Sequence, residues 1–227
     1  MDILYEDNHL IVVVKPQNIP SQEDVTEDES MLSQVKKYIK ETYHKEGNVY
    51  VGLVHRLDRP TGGVMVFAKT SKCASRLSEQ IKEGVMHKKY FAVVEGVPRE
   101  RFGQLTHYLK KNNDLNIVKV VPMLEEGAKE AVLRYNVLSD AEKKVSLVDI
   151  DLITGRSHQI RVQMSTIGNP VFADVKYGSK HKGKLALWAY KLTFEHPTLK
   201  KTMTFISYPP EEELPWKFFN ISKFIGK

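Results

Sequence analysis

The stretch VYVGLVHRLDRPTGGVMVFA, residues 49–68, reads as strand, bend, strand. Its flanks, residues 49–54 and 64–68, are rich in β-branched and aromatic side chains, the composition of strands in a packed sheet. Between them Pro60 fixes one backbone dihedral, while Gly62 and Gly63 tolerate positive φ or the close approach of another backbone. Asp58 lies on this bend between Arg56 and Arg59. A cation within a few ångströms favours an ionised carboxylate by about 1–3 pKa units, so the sheet presents a carboxylate suited to act as nucleophile or base. Read alone, Asp58 is equally an aspartate ahead of a turn proline, an ordinary place for Asp.

Outward from this bend, residues 3–5 and 10–14 flank the polar turn Glu6-Asp7-Asn8-His9 as an opening hairpin. A helix is predicted with Ser30 as N-cap, Leu32, Val35, Tyr38, Ile39 and Tyr43 at helical spacing, and Gly47-Asn48 as its stop. A second runs from Ser71 to about Glu83, with Ala74, Leu77 and Ile81 inward and Gly84 beyond the end. Strands are expected over 90–94, 131–138 and 145–152, and near the end, where Trp188, Tyr190, Leu192 and Phe194 alternate onto one face. Residues 99–128 are the least regular, with Lys110-Lys111-Asn112-Asn113-Asp114 as a hairpin tip. The block 154–162 reads as a turn feeding a helix, with Gly155 in the bend, Ser157 as N-cap and Gly168 past the end. Helical spacing sets His158 and Arg161 on one face and Ile160, Met164 and Ile167 on another. No repeat or low-complexity linker interrupts the pattern. The expected fold class is α+β: one domain over residues 1–227, a mostly antiparallel mixed β-sheet flanked by helices and loops.

His55-Arg56-Leu57-Asp58, with Thr61 and Gly63 following, resembles the HRLD-x-x-T-x-G signature of the RluA family of RNA pseudouridine synthases. Other family blocks occur in the same order: Lys15-Pro16 closing an opening strand, Lys88-Lys89-Tyr90, Thr154-Gly155-Arg156-Ser157-His158-Gln159-Ile160-Arg161-Val162, and Phe194-Glu195-His196-Pro197. They stretch across nearly the whole chain. The first motif and the Gly-Arg-Ser-His-Gln-Ile-Arg block are highly specific; Lys-Lys-Tyr and His-Pro carry weight only in their company. The sequence departs from the family pattern at Asn18 and Gly62, where Gly and Ser are common, and at Gln163 and Asn169, where His is usual. None of these is a catalytic position in the resemblance.

The resemblance implies an isomerase that converts uridine in ribosomal or transfer RNA to pseudouridine without metal, nucleotide or redox cofactor. Asp58 is the implied catalytic carboxylate, Arg161 pairs with it and fixes its orientation, and Tyr90 faces the target base, where stacking is worth about 1–3 kcal/mol. The reacting atoms are shielded in a stacked helix, so the nucleotide must be flipped out, at a cost of a few kcal/mol; Arg56 is implied to fill the gap. His55, Thr61, Lys88, Lys89, Arg156 and His158 are implied RNA contacts, Arg156 near a helix N-terminus that favours phosphate. Whether Asp58 attacks the ribose carbon or removes a ribose proton stays open, as does the RNA modified. From the residues alone, Arg161 serves equally to tie down any buried acid, Tyr90 to fill a core, and Lys88 and Lys89 to stand in solvent at a strand end. The chain opens at the first family strand, which on the resemblance implies a catalytic domain without the small N-terminal RNA-binding domain of many relatives.

Composition fits this reading. The 227 residues, 41% apolar, suffice for a full core, and Lys+Arg 34 against Asp+Glu 28 gives a net charge of +6, suited to a polyanion. From residue 176 to 227 ten lysines stand against four acids, while residues 23–29 hold five acids, expected as a solvated loop facing away from RNA. Cys73 is the one cysteine, which excludes an intrachain disulfide and a thiolate zinc site and reads as a small buried hydrophobe. No apolar run approaches a membrane span and the start lacks a signal peptide, so the cytoplasm is the expected compartment, with no membrane and no required protein partner. A non-catalytic RNA-binding module explains the charge but not an aspartate bracketed by arginines. A glycoside hydrolase normally wants a second acid, which the motif blocks do not offer.

Overall fold

The computed structural model describes residues 1–24, 27–141 and 144–224. In chain order its elements are β1 (Asp2–Glu6), β2 (Leu10–Lys15), α1 (Met31–Thr42), β3 (Gly52–Leu53), β4 (Gly62–Ala68), α2 (Ser71–Lys82), β5 (His87–Glu95), β6 (Phe102–Asn112), β7 (Ile117–Val121), β8 (Lys129–Ala141), β9 (Val145–Leu152), α3 (Gln159–Thr166), β10 (Leu187–Glu195) and β11 (Thr202–Ile206). The chain divides into two compact units, Met1–His87 with Ala189–Ser207, and Lys88–Trp188 with Tyr208–Lys227. The expected α+β class holds, with antiparallel pairing throughout the registers below.

In the first unit the opening hairpin forms because the Asp7 carboxylate accepts the backbone N–H groups of His9 (2.7 Å) and Leu10 (2.9 Å), closing an Asx turn. β2 pairs antiparallel with β4 from Leu10↔Ala68 to Lys15↔Gly63. All seven residues of β4 are buried, which is why its sequence is a continuous apolar run rather than an alternation. The expected strand over 49–54 shrinks to the two residues of β3, paired with Phe67 and Ala68. Beyond it the ring of His55 takes over: its Nε2 accepts the N–H of Val66 at 3.1 Å. β10 lies beside β4 and carries β11 antiparallel on itself. Gly63, at φ 125°, makes the β4 contact possible, since a Cβ there would stand 2.3 Å from the carbonyl oxygen of Ala189. Leu10, Val12, Val64, Val66, Leu77, Leu192 and Phe194 form the core.

α1 starts at Ser30 as expected, in a capping box with Ser33. It ends at Thr42, before Gly47, because His44 already turns left-handed at φ 48°. Tyr38 and Tyr43 leave the apolar face and donate their hydroxyls to Glu6, at 2.9 and 2.8 Å. α2 buries Cys73, Leu77 and Gln80, and Ala74 and Ile81, half-buried, pack against the same core as expected. The Gln80 side chain is drawn inward because its amide exchanges two hydrogen bonds with the backbone of Glu195, at 2.7 and 2.9 Å.

The second unit is an antiparallel sheet in the order β5-β9-β8-β6-β7. The stretch 99–128, expected to be the least regular, supplies β6 and β7, a hairpin as expected, its tip at residues 113–116 rather than 110–114. β6 alternates exposed and half-buried positions and is rich in Gln, Thr, His and Lys, so its apolar signal is weak. Residues 159–164 of α3 are all buried. Gln163 ties this helix to the sheet, donating to the carbonyls of Ala131 (3.0 Å) and Leu105 (3.3 Å). Among the described residues no helix is long and apolar enough to cross a membrane.

Candidate active site

Asp58 is half-buried on a loop whose backbone is bonded at every carbonyl from 57 to 60. Ser21 exchanges two bonds with Leu57, its hydroxyl donating to the carbonyl (2.8 Å) and accepting the N–H (3.1 Å). The Asp58 carbonyl accepts the N–H of Thr61 at 2.9 Å. That of Arg59 accepts the Asn18 N–H (2.8 Å) and the Lys15 ammonium (3.0 Å), and that of Pro60 accepts the Gln17 amide (2.9 Å). The segment 15–21 therefore acts as a cradle for the loop. Asn18 stands at φ 66°, a left-handed conformation that Asn tolerates better than most residues. The Thr61 hydroxyl is buried and has no hydrogen-bond partner among the described residues.

Two charges shape this cradle. Lys15 is fully buried and donates to the carbonyls of Ile19 (2.7 Å), Pro16 (3.0 Å) and Arg59 (3.0 Å). Burial pushes its ammonium down to about 7; the Asp58 charge pulls it back up and the Arg59 charge presses it further down. The Arg59 guanidinium pairs with Asp28 and, at 3.6 Å, with Asp24. The five acids of this stretch are exposed, as expected of a solvated loop, and two of their carboxylates in addition pair with the residue after Asp58. Residues 25 and 26 of that stretch lie outside the described residues. Arg56 is exposed, whereas the His55 ring is engaged with β4.

In the second unit Arg161 is buried and forms a fork with Asp174, Nε to Oδ2 at 2.7 Å and Nη2 to Oδ1 at 2.8 Å. Its guanidinium also lies 5.1 Å from the centre of the Tyr177 ring. The phenol oxygen of Tyr177 accepts the N–H of Val118 at 2.9 Å and lies 2.7 Å from Nδ1 of His158. His158, not Ser157, is the N-cap of α3; it sits left-handed at φ 51° and makes no side-chain cap bond. The Gln159 side chain instead ties the preceding turn to the helix start, its Oε1 accepting from Arg156 N (2.9 Å) and the Thr154 hydroxyl (2.7 Å). Tyr90 is buried on β5, Lys89 is paired with Asp149 at 3.0 Å, and Arg156 is exposed, its Nε donating to the Glu130 carbonyl at 2.8 Å. Ser21, Asp24, Asp28, Asp174 and Tyr177 escaped the sequence reading. They are short or common residues with no motif spacing, and only the three-dimensional neighbourhood marks them.

Residues 9–166, which include Asp58, Tyr90 and Arg161, match the RNA pseudouridylate synthase family. The chain belongs to that family. tRNA pseudouridine synthase C of Haemophilus ducreyi is 32% identical to it, with 88% of each chain covered. Ribosomal large subunit pseudouridine synthase C of Buchnera aphidicola is 33% identical, over 88% of this chain and 64% of that one. The chain likewise spans 65% of the length of the Mycoplasma pneumoniae and Bacillus subtilis pseudouridine synthases it matches at 35% and 33% identity. Human RNA Pseudouridylate Synthase Domain Containing 4 shares the fold, with a TM-score of 0.75 at 24% identity over 92% of this chain and 88% of that one. The RluA-type pseudouridine synthase catalytic domain expected from the motifs is thereby established as the family.

Proposed function

We propose that this protein is an RNA pseudouridine synthase of the cytoplasm, acting on uridine in ribosomal or transfer RNA, with residues 1–227 working as one catalytic domain. In this reading the target nucleotide is flipped out of its stack, with Arg56 taking its place. The Asp58 carboxylate promotes cleavage of the bond between nitrogen 1 of uracil and the ribose. The base is retained and turned against the Tyr90 ring, carbon 5 then bonds to the same sugar carbon and gives up its proton, and nitrogen 1, freed from the sugar, takes one up. No atom is gained or lost, so the reaction consumes no co-reactant. Arg161, held by the Asp174 carboxylate, is the positioning residue that this reading takes from the family resemblance.

The observation that carries this reading is the complete bonding of the loop around Asp58: a turn aspartate with only a structural duty needs no such cradle, whereas a reacting group gains from being held in one geometry. Asp58→Asn keeps size and loop while removing the charge. The expected outcome is an RNA affinity close to that of the parent and no pseudouridine formed in an unmodified ribosomal or transfer RNA transcript. Undiminished turnover by Asp58→Asn would end the catalytic assignment. Comparing pseudouridines in total RNA from cells with and without the gene identifies the substrate.

A further inference from the structure

Lys88 and Lys89 are neighbours in sequence with opposite surroundings. Strand alternation sets them on different faces of β5. Lys89 faces Asp151 in the register and its ammonium lies 3.0 Å from Asp149, so countercharge is already supplied on that face. Lys88 shares its face with Tyr90, whose cross-strand partner is Ile150. Among the described residues no carboxylate or carbonyl accepts from the Lys88 ammonium. The residue is half-buried, and desolvation lowers the pKa of its ammonium. A half-desolvated cation without an anion is a costly arrangement unless something from outside completes it.

The space beside this ammonium is set by Gly155. A Cβ at that position would stand 3.2 Å from Nζ of Lys88, tighter than an ordinary contact, so the bare glycine leaves room for the lysine at an exposed turn. Arg156 is the next residue, exposed, with only its Nε engaged among the described residues. The Lys88 ammonium and the Arg156 residue thus adjoin the same turn of the chain.

We propose that Lys88, with Arg156 at the same turn, binds a phosphodiester of the RNA, that of the nucleotide whose base lies against Tyr90. Lys88 and Tyr90 are two residues apart on one strand face, about 6.6–6.8 Å, the scale on which one nucleotide presents both a base and a phosphate. The assignment rests on the RNA-modifying reading above and goes beyond it by separating the two lysines.

The test measures binding of an oligouridylate between about 50 and 200 mM salt for the parent, Lys88→Gln, Lys89→Gln and Gly155→Ala. Loss of one phosphate contact lowers the slope of log affinity against log salt by about 0.7 for a single strand. Lys88→Gln is expected to show that drop and Lys89→Gln to keep the parental slope. Gly155→Ala, which displaces the ammonium without removing it, weakens binding less, and adds nothing to Lys88→Gln in the double variant. Equal slopes for the two lysine variants, or a parental slope for Lys88→Gln, overturns the proposal. Inorganic phosphate forms the second arm: Lys88-dependent binding of phosphate with an unchanged RNA slope marks a free-anion site and overturns the RNA assignment. If the slope contrast fails while Asp58→Asn abolishes turnover, only the phosphate site falls. Full turnover by Asp58→Asn with the contrast intact removes the isomerase instead.

Discussion

The two specific motif blocks are held in place by opposite means. The loop from Leu57 to Pro60 is bonded almost entirely by a remote stretch: Lys15, Gln17, Asn18 and Ser21 reach it across 36 to 44 residues of sequence. The turn from Thr154 to His158 is tied by its own continuation and by β8, through Gln159 and the backbone of Val132 at 3.1 Å. The first geometry exists only once the chain has folded. The second combines bonds within five residues with bonds to β8, 22 to 27 residues away. Loop precision at Asp58 is therefore exposed to side-chain substitutions in a remote segment, whereas the β8 bonds of the other block run largely to backbone atoms that substitution leaves in place.

The largest effect expected is at the buried fork that follows the second block. Asp174→Ala leaves the Arg161 guanidinium buried without its partner, which costs about 3–5 kcal/mol, read as a lower midpoint in denaturant unfolding. A loss below about 1 kcal/mol would show that Asp174 does not hold Arg161 in solution.

Next is the cradle itself. Ser21→Ala removes both bonds to Leu57 from a buried place and is expected to cost about 1–3 kcal/mol. Because both peptide groups flanking Leu57 lose their anchor, kcat should fall by at least about tenfold while RNA affinity stays near parental, a split characteristic of misplacement rather than lost binding. A stability loss with parental kcat in the folded fraction would mean the loop keeps its geometry without the cradle.

The smallest effect is electrostatic. Lys15 titrates at about 7 in the folded protein against an ordinary 10.5. Between those values the unfolded chain holds a proton that the folded chain has released, so this group makes the fold more stable as pH rises across the window and adds no slope below it. Lys15→Met should flatten that part of the stability profile. Asp58→Asn should move the Lys15 midpoint lower, seen by NMR, since the Asp58 charge supports the ammonium; an unmoved midpoint would separate the two groups.

What sequence reading recovered follows the same division. β9 was legible to the residue, and the starts of α1 and α2 were too, because apolar periodicity and capping residues are local signals. The motif residues were legible through the resemblance. Of β6 and β7 only the hairpin tip was legible, since half-exposed strands need few apolar side chains, and the inward Gln80 was not, its place being decided by a strand end 115 residues away. The acids at 24 and 28 carry no mark of their task, because their partner Arg59 lies about thirty positions further on. Contacts that bridge long sequence separations leave no periodic trace.

The meeting of Gly63 with Ala189 works as a detent. Only a residue without a side chain fits there, so β4 has a single stopping place along β10. Sliding by two residues, about 6.6–6.8 Å, would drive Thr61 or Met65 into the backbone of Ala189. The height of the bend above its sheet is thereby quantised, and with it the reach of the carboxylate five residues earlier.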